Sequence, residues 1–254
     1  MLPEILQSLP SQIDTYYEPF AGSAAVFFAL HSQGRFRRAV LGDRNQELID
    51  VYRALKRDVD AVIKALLKHS YDKAVYYRVR AMAPASLDLY ERAARTIYLN
   101  KTGFNGLYRV NRAGKFNVPF GRYTNPKICD EGRLRRAAQA LQGVRLKAGD
   151  FAKICASATQ GDAVYFDPPY VPLSRTSSFT AYHSEAFDDA EHERLAATFD
   201  DLVARGVRVA LSNSDTPKTR GLYEAHKTRR ILVARPINSN TTRRGNVAEL
   251  LVSG

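Results

Sequence analysis

The chain has 254 residues, of which 45% are hydrophobic and 25% charged, and its 38 lysine and arginine residues exceed its 26 aspartate and glutamate residues, giving a net charge of +12. This composition excludes a disordered chain, a collagen-like repeat and a scaffold held by disulfides, because the apolar fraction can form a core and two cysteines cannot staple a fold. The longest apolar run, Ala24 to Leu30, has seven residues, whereas a membrane helix needs about 20, so we expect a cytoplasmic protein with no membrane partner.

The first predicted unit is a strand followed by a tight turn and a helix. Residues Thr15 to Glu18 are typical of a strand, which Pro19 and Gly22 end. Ser23 can cap a helix that runs from Ala24 to about Ser32.

A second strand and helix follow. The residues Ala39 to Gly42 have the apolar pattern of a buried strand, which ends at Asp43. Apolar residues then recur at helical spacing at Leu48, Ile49, Tyr52 and Leu55.

Strand signals fade in the middle of the chain. The apolar spacing there predicts three helices, over residues 59–67, 87–100 and 133–141. Between the second and third of these, the segment from Thr102 to Pro126 holds six glycine or proline residues among aromatic, asparagine and arginine residues. Because this segment is too polar for a core, we expect an ordered and exposed loop.

Strand patterns return after Gly143. We predict strands at Val144–Lys147, Ala163–Phe166 and Val207–Leu211, a helix at Asp188–Ala204, and an antiparallel pair, Ile231–Ile237 with Val247–Val252, joined by Asn238–Asn246. The predicted fold class is α/β, with a mostly parallel sheet, helices on both faces, an antiparallel hairpin at the edge, and a helical module inserted between the second and third strands.

Positive charge is concentrated in one part of the chain. Between Lys101 and Arg136, nine basic residues accompany only two acidic ones, Asp130 and Glu131. Such a segment binds polyanions through counterion release, or it keeps a protein soluble. Charge alone therefore leaves nucleic-acid binding and solubility as alternatives.

Residues that follow the predicted strands are candidates for ligand binding, because open α/β sheets bind ligands beyond the carboxyl ends of their strands. The turn after the first strand has one glycine, Gly22, where an NAD fingerprint has three. Asp43 lies where an acidic side chain accepts hydrogen bonds from ribose hydroxyls, although it could equally cap a helix. Together they favour a nucleoside-containing cofactor. Cys129 and Cys155 lack the spacing of metal ligands, so we predict no metal.

The strongest motif is the corner Asp167-Pro168-Pro169-Tyr170, which follows a predicted strand. The two prolines forbid a helix and fix the backbone, so the corner can aim a carboxylate, a carbonyl and a ring at one planar group. The Asp167 carboxylate and the Pro168 carbonyl can accept both N–H bonds of an exocyclic amine on a base, while Tyr170 stacks on the ring. The alternative is a strand that prolines merely stop.

With this corner, the sequence resembles the DNA adenine methyltransferases of the Dam family, in the D12 class and alpha group. The resemblance covers nearly the whole chain. It rests on Glu18-Pro19-Phe20-Ala21-Gly22, Asp43-Arg44-Asn45 with Leu48-Ile49, Tyr76-Tyr77 with Arg80, Asn105-Gly106-Leu107-Tyr108-Arg109 with Asn111, Phe116 to Tyr123, the Asp167 corner, Pro172-Leu173-Ser174 with Phe179 to Tyr182, Ser212-Asn213, and Ser239-Asn240.

The resemblance implies a Rossmann-like fold, S-adenosylmethionine as methyl donor, and transfer to N6 of an adenine flipped out of double-stranded DNA. It implies a catalytic domain in residues 1–56 and 144–254, a target-recognition domain in residues 57–143, and a monomer. The implied adenine pocket consists of Asp167, Pro168, Pro169 and Tyr170. The implied cofactor site consists of Glu18, Phe20, Gly22, Asp43, Asp150, Phe151 and Asp167. For Asp150 and Phe151, a helix cap and a core aromatic remain the alternative.

In members that resemble this chain the methylated site is GATC. The resemblance implies that Arg109 reads a guanine, that Leu107 touches a thymine methyl, and that Phe104 wedges between base pairs. The further implied DNA contacts are Asn105, Asn111, Pro119 and Arg122. The alternatives are a loop anchor at Phe104 and a phosphate contact at Arg109.

Two departures from the family pattern bear on cofactor binding. The usual opening segment, Lys-Trp-x-Gly-Gly-Lys, is absent, and Met1 to Leu6 resembles the helix that follows it. The sequence leaves open an upstream start, a shortened chain and weaker cofactor binding. Ala24 also replaces a glycine. A catalytically weak or silent DNA-binding protein and the same chemistry on RNA therefore remain as alternative functions.

Overall fold

The computed structural model describes residues 1–111, 114–172, 187–234 and 246–254. These residues form two compact units. We call Met1–Gly42 with Gly149–Gly254 the sheet unit and Asp43–Ala148 the helical unit. Arg112, the motif positions from 173 to 182, Ser239-Asn240 and the predicted connection at 238–245 lie outside the described residues.

Six strands form the sheet of the sheet unit. In chain order they are β1 (Ile13–Glu18), β2 (Phe36–Asp43), β4 (Ala163–Phe166), β5 (Arg208–Ser214), β6 (Lys227–Ala234) and β7 (Asn246–Ser253), with β3 (Arg145–Ala148) in the helical unit. The order across the sheet is β2-β1-β4-β5-β7-β6. Strands β2, β1, β4 and β5 are parallel, and β7 is antiparallel to both β5 and β6. The predicted α/β class with an antiparallel edge hairpin is confirmed.

The helices of the sheet unit are α1 (Leu2–Ser8), α2 (Ala25–Ser32), α8 (Phe151–Cys155), α9 (Asp189–Ala204) and α10 (Pro217–Leu222). The core packs inward-facing residues of the parallel strands, such as Val40, Val164 and Val209, against Leu195 and Phe199 of α9. The strand residues are nearly continuous apolar runs, as expected for strands that are buried on both faces.

The start of α2 differs from the prediction. Ala24, not Ser23, is the residue that precedes α2. Its backbone is left-handed, with φ 52°, and its side chain makes no capping hydrogen bond. The carboxylate of Glu18 instead accepts a 2.9 Å hydrogen bond from the Phe27 N–H in the first turn. Ser23 was the wrong prediction because an acceptor nine residues away already satisfies the helix end.

The helical unit contains α3 (Gln46–Arg57), α4 (Val59–Leu66), α5 (Lys73–Ala81), α6 (Leu89–Thr102) and α7 (Glu131–Ala140). Helix α5 was not predicted. The unit begins earlier than the predicted recognition domain at residue 57, because α3 packs against α6. Its core consists of buried residues including Leu66, Tyr76, Tyr98 and Val118. The role of this unit as a recognition domain stays a prediction. Among the described residues, no helix has the length and apolarity needed to cross a membrane.

Candidate functional site

The Asp167 corner lies directly beyond the last residue of β4. Phe166 pairs with Leu211 of the parallel strand β5, so Asp167 lies beside the next residue of that strand, Ser212. The Ser212 hydroxyl donates a 2.8 Å hydrogen bond to Oδ1 of Asp167. The pairing of two strands therefore fixes the carboxylate at the carboxyl end of the sheet.

A second hydroxyl extends this contact. Tyr165 Oη lies 2.8 Å from Ser212 Oγ, and both groups are buried. Because a serine hydroxyl has one proton and Ser212 gives it to Asp167, Tyr165 donates to Ser212. Burial raises the pKa of Tyr165, which keeps its phenol protonated as a donor. The three side chains form a directed chain of hydrogen bonds that ends on the carboxylate.

The Asp167 carboxylate reaches solvent, although protein atoms crowd it on most sides. This desolvation raises the pKa of Asp167 above its ordinary value of 3.8, and the hydrogen bond from Ser212 opposes the shift. The nearby carboxylate of Glu249 raises the Asp167 pKa further. The hydrogen bonds from Ser212 and Tyr170 lower the pKa of Asp167 and so favour its ionised form against this desolvation.

The backbone after the two prolines is hydrogen-bonded to a side chain of β5. Val171 N–H donates a 2.9 Å hydrogen bond to Oδ1 of Asn213. Tyr170 is half-buried, and its hydroxyl donates to Oε2 of Glu249 at 3.3 Å. The predicted stacking of Tyr170 on a base stays a prediction. The sequence analysis did not identify Tyr165 or Glu249 as site residues. The only signal for them was their position in strands that lie near the Asp167 corner.

Glu18 lies in the core beneath the first turn. The residue is 2% exposed, and its Oε2 accepts 2.8 Å and 2.9 Å hydrogen bonds from Tyr16 Oη and Phe27 N–H. Burial raises the pKa of Glu18 to about 8, against the lowering effect of these two donors. Gly22 has φ 47°, and a side chain there would meet only the Phe20 carbonyl, at 3.9 Å. Glu18 thus holds the first turn of α2 through its hydrogen bond to Phe27. At Gly22 the described residues leave space for a Cβ without a close contact.

Aromatic rings cluster beside the turn. The Phe20 ring stacks on Phe151 with 5.3 Å between ring centroids, and Phe166 and Phe187 meet Phe20 edge-on at 6.2 Å and 5.5 Å. Phe20 is half-buried, whereas Phe151 is 4% exposed. Phe20 is therefore the ring of this pair with more surface left for a ligand.

Asp150 caps helix α8 by accepting hydrogen bonds from Ala152 N–H and Lys153 N–H. Arg194 also pairs with it at 2.6 Å, and this guanidinium lies 4.1 Å from the centre of the Phe151 ring. The Arg194 contact lowers the pKa of Asp150. Both alternatives considered for Asp150 and Phe151 fit this geometry, so their binding roles stay predictions.

In the helical unit, Asp43 is the last residue of β2 and is half-buried. Its Oδ1 accepts a 2.8 Å hydrogen bond from Asn45 N–H. Asn45, not Asp43, is the residue that caps α3, because its side chain accepts from Glu47 N–H and Leu48 N–H. The alternative of Asp43 as the helix cap is therefore wrong.

The predicted exposed loop is built as two paired arms. Phe104 N–H donates to the Pro119 carbonyl, Asn117 N–H to the Arg109 carbonyl, and Asn111 N–H to the Lys115 carbonyl. Phe104 is 45% exposed and Leu107 is 45% exposed. All the predicted DNA contacts on these arms are exposed: Phe104, Asn105, Leu107, Arg109, Asn111, Pro119 and Arg122.

Arg109 is oriented by its neighbour on the facing arm. Its Nε donates a 2.8 Å hydrogen bond to Asn117 Oδ1, and Nη2 donates to the Asn117 carbonyl at 3.2 Å. Asn117 is thus a positioning residue that sequence reasoning did not single out. The only signal for it was its place in the Phe116 to Tyr123 run.

The arms are fixed to the helices behind them. Tyr76 Oη and an Arg80 N–H both donate to the Val118 carbonyl, at 2.9 Å and 3.0 Å. Tyr71 Oη donates to the Gly121 carbonyl at 2.8 Å. At Gly103, an added Cβ would lie 2.6 Å from the Leu99 carbonyl, so only glycine fits. A rigid support therefore holds the exposed residues in place.

Known proteins match the chain over its length. The family of D12 class N6 adenine-specific DNA methyltransferases matches residues 1–235. The type II methyltransferase M1.LlaDCHI of Lactococcus lactis subsp. cremoris is 38% identical over 261 residues, covering 100% of this chain and 90% of that protein. The type II methyltransferase M.MjaIII of Methanocaldococcus jannaschii is 38% identical over 271 residues, covering 99% of this chain and 94% of that protein.

A DNA adenine methylase of Escherichia coli strain K12 is 37% identical over 255 residues, covering 99% of this chain and 90% of that protein. Among solved structures, the precorrin-6y C5,15-methyltransferase of Geobacter metallireducens has a TM-score of 0.42 at 10% identity, covering 99% of this chain and 86% of that one. That structural similarity is too low to bear on function.

Proposed function

The chain belongs to the D12 class N6 adenine-specific DNA methyltransferases, and we propose that it methylates adenine N6 within GATC in double-stranded DNA, acting as a monomer. The methyl donor of this family is S-adenosylmethionine. The observation that carries the proposal is the set of exposed residues on the two paired arms, where Phe104, Leu107 and Arg109 stand free of the core. Exposed side chains on a rigid support suit the reading of base edges.

The residues present fit the donor by their chemistry. S-adenosylmethionine supplies an electrophilic methyl group on a sulfonium. The Asp43 carboxylate is half-buried at a strand end and suits the hydroxyls of a ribose. Phe20 and the turn at Gly22 suit the methionine end, because among the described residues a Cβ added at Gly22 would meet only the Phe20 carbonyl, at 3.9 Å. Within the sheet unit, Glu18, Asp150 and Phe151 join Phe20 and Gly22 among the proposed donor contacts, with Glu18 acting through the position of α2.

Asp167 and Pro168 carry the proposed chemistry. The Asp167 carboxylate and the Pro168 carbonyl accept hydrogen bonds from the two N–H groups of the adenine amine. These hydrogen bonds leave the nitrogen lone pair less delocalised. The negative charge of Asp167 stabilises positive charge that develops on nitrogen, and the proton leaves afterwards. Ser212 keeps the carboxylate oriented. The transfer needs mainly alignment and exclusion of water.

The exposed residues of the paired arms that are predicted to contact DNA each have a proposed role. Arg109 reads guanine acceptors in the major groove, and Leu107 contacts a thymine methyl. Phe104 fills the space that the flipped adenine leaves, which offsets an unstacking cost of a few kcal/mol. The remaining proposed contacts are Asn105 near the flipped base, Pro119 beside a base, and Asn111 and Arg122 on DNA.

Labelled methyl incorporation tests the proposal. We expect incorporation into a duplex that contains GATC and none into a duplex of scrambled sequence. Incorporation into both would refute the roles of Arg109 and Leu107. Tight duplex binding without incorporation would instead make the chain a silent DNA-binding member, and incorporation into RNA alone would change the substrate.

A further inference from the structure

A basic pocket lies within the helical unit, between the C-terminal part of α3 and strand β3. Its volume is about 600 Å³. Five of its seven lining residues are lysine or arginine, and none is acidic. The lining residues are Arg53, Lys56, Arg57, Val144, Arg145, Leu146 and Lys147. None of them has a role in the proposed methyl transfer.

Two of the basic side chains are held by the backbone of β3 and the residue before it. Lys56 Nζ donates a 2.8 Å hydrogen bond to the Val144 carbonyl, and an Arg53 N–H donates to the Leu146 carbonyl at 3.5 Å. Arg53 also pairs with Asp50 at 3.2 Å. These contacts place the two cations on the pocket wall without neutralising Lys56.

The other three cations differ in this respect. Within the part of the chain that the structure describes, no ion pair involves Arg57, Arg145 or Lys147. Arg57 and Arg145 are exposed, and Lys147 is half-buried. Like charges around one concavity repel each other and focus a positive potential, which an anion relieves.

The pocket lies at the far end of α3 from Asp43. Helix α3 has 12 residues, from Gln46 after its cap Asn45 to Arg57, which corresponds to about 18 Å at the usual rise per residue. The proposed ribose contact is therefore at the opposite end of the same helix. Arg109 and the other residues of the paired arms do not line the pocket.

We propose that this pocket binds phosphate groups. Arginine forks and lysine ammonium groups are the usual ligands of phosphate oxygens, and five such residues line this one open pocket. The phosphates come either from the backbone of DNA outside the recognised site or from a free polyphosphate. The proposal does not depend on GATC as the target.

A pair of double variants tests it. R57Q/R145Q removes two charges from the pocket, and K64Q/K68Q removes two exposed charges from the same unit outside it. Circular dichroism first checks that both variants are folded. In the first arm, tripolyphosphate is titrated calorimetrically, and in the second a duplex of about 36 base pairs is titrated at several salt concentrations.

For a free polyphosphate, we expect saturable tripolyphosphate binding that weakens at least about tenfold in R57Q/R145Q and is unchanged in K64Q/K68Q. For a DNA backbone, the slope of log affinity against log salt falls by about 2 in R57Q/R145Q only, since each phosphate contact adds about 0.9. Either result supports the pocket. Equal changes in both variants, or none in either arm, overturn it, whatever the outcome of methyl incorporation.

Discussion

Ser212 Oγ lies 2.8 Å from Asp167 Oδ1 and donates a hydrogen bond to it. The two residues are 45 positions apart in the chain and become neighbours because β4 and β5 pair in parallel. The orientation of the Asp167 carboxylate thus depends on the sheet, whereas Pro168 and Pro169 only fix the backbone that carries it. A variant without the Ser212 hydroxyl keeps the Asp167 carboxylate but loses the hydrogen bond that orients it.

Ser212→Ala should lower kcat without abolishing transfer. A hydrogen bond to a charged group is worth about 1.5 to 3 kcal/mol, which corresponds to a loss of about tenfold or more. Because this bond lowers the pKa of Asp167, its loss should raise that pKa and move the acidic limb of the pH–rate profile to higher pH. Methyl incorporation measured across pH checks both effects.

Tyr165→Phe and Ser157→Ala are the comparison variants for Ser212→Ala. Tyr165→Phe leaves the Ser212 donor in place, so its effect should be smaller and in the same direction. Ser157 lies elsewhere in the sheet unit, where its hydroxyl meets Tyr17, and its loss should leave the acidic limb unmoved. A pH profile of Ser212→Ala that coincides with the unsubstituted protein would contradict the positioning role.

Asp167→Ala should abolish transfer and leave DNA affinity largely intact. The variant removes one acceptor of the adenine amine and the charge that stabilises the developing positive nitrogen. Methyl incorporation and duplex binding by anisotropy are measured on the same preparation. Turnover at the unsubstituted rate would refute the proposed pocket, whereas loss of both properties would show misfolding, which Asp167→Asn then resolves by keeping the side-chain volume.

Arg109→Ala should relax discrimination at one guanine by about 1 to 3 kcal/mol. Asn117→Ala should relax it at the same base pair but less, because Asn117 only orients the guanidinium. Competition among duplexes with single substitutions in GATC measures the effect. A uniform loss of affinity for all duplexes would instead make Arg109 a phosphate contact, and Lys101→Ala, at an exposed cation on α6, provides the uniform reference.

Several elements followed directly from the sequence. Strand β4 was predicted at its observed bounds, because a fully apolar run ends at a carboxylate and two prolines. Helix α3 followed from its apolar spacing. The Asp167 motif was visible because its residues are consecutive, so local chemistry and local geometry coincide.

Other features depend on contacts between distant residues. The attachment of the paired arms to the rest of the helical unit involves Tyr71 and Tyr76, which donate to carbonyls more than 40 residues away. Helix α5 was missed because it has only two buried residues, Tyr76 and Val79, too few for a periodic signal. Glu18 replaces a local cap from within the core, which no capping pattern encodes.

The buried Glu18 should make stability depend on pH. Burial raises the pKa of Glu18 to about 8 in the folded chain, against an ordinary value of 4.5. Between these values the folded state binds more protons than the unfolded state, so the free energy of unfolding should fall as pH rises, at up to about 1.4 kcal/mol per pH unit. Denaturant unfolding between pH 5 and pH 8 measures the slope.

Glu18→Gln should flatten this slope, because the amide does not titrate. Glu224→Gln, at an exposed position, should retain it. If Glu18→Gln and the unsubstituted protein lose stability in parallel, the slope comes from other groups, and the raised pKa of Glu18 is wrong.

Gly103→Ala should destabilise the helical unit by about 1 to 3 kcal/mol, the usual cost of overpacking. The added methyl would lie 2.6 Å from the Leu99 carbonyl and 3.0 Å from Tyr76 Oη. Tyr76 Oη supports the paired arms through its hydrogen bond to the Val118 carbonyl. DNA discrimination should weaken along with stability. Gly132→Ala is the matched control, since Gly132 lies exposed in α7 and an added Cβ would meet the Arg136 and Asp130 side chains at ordinary contact distances of 3.4 Å and 3.9 Å. This variant should stabilise the unit by about 0.5 to 1 kcal/mol. Thermal unfolding of both variants measures the opposite signs. The same sign in both would show that the close approach at Gly103 does not limit the packing of the arms.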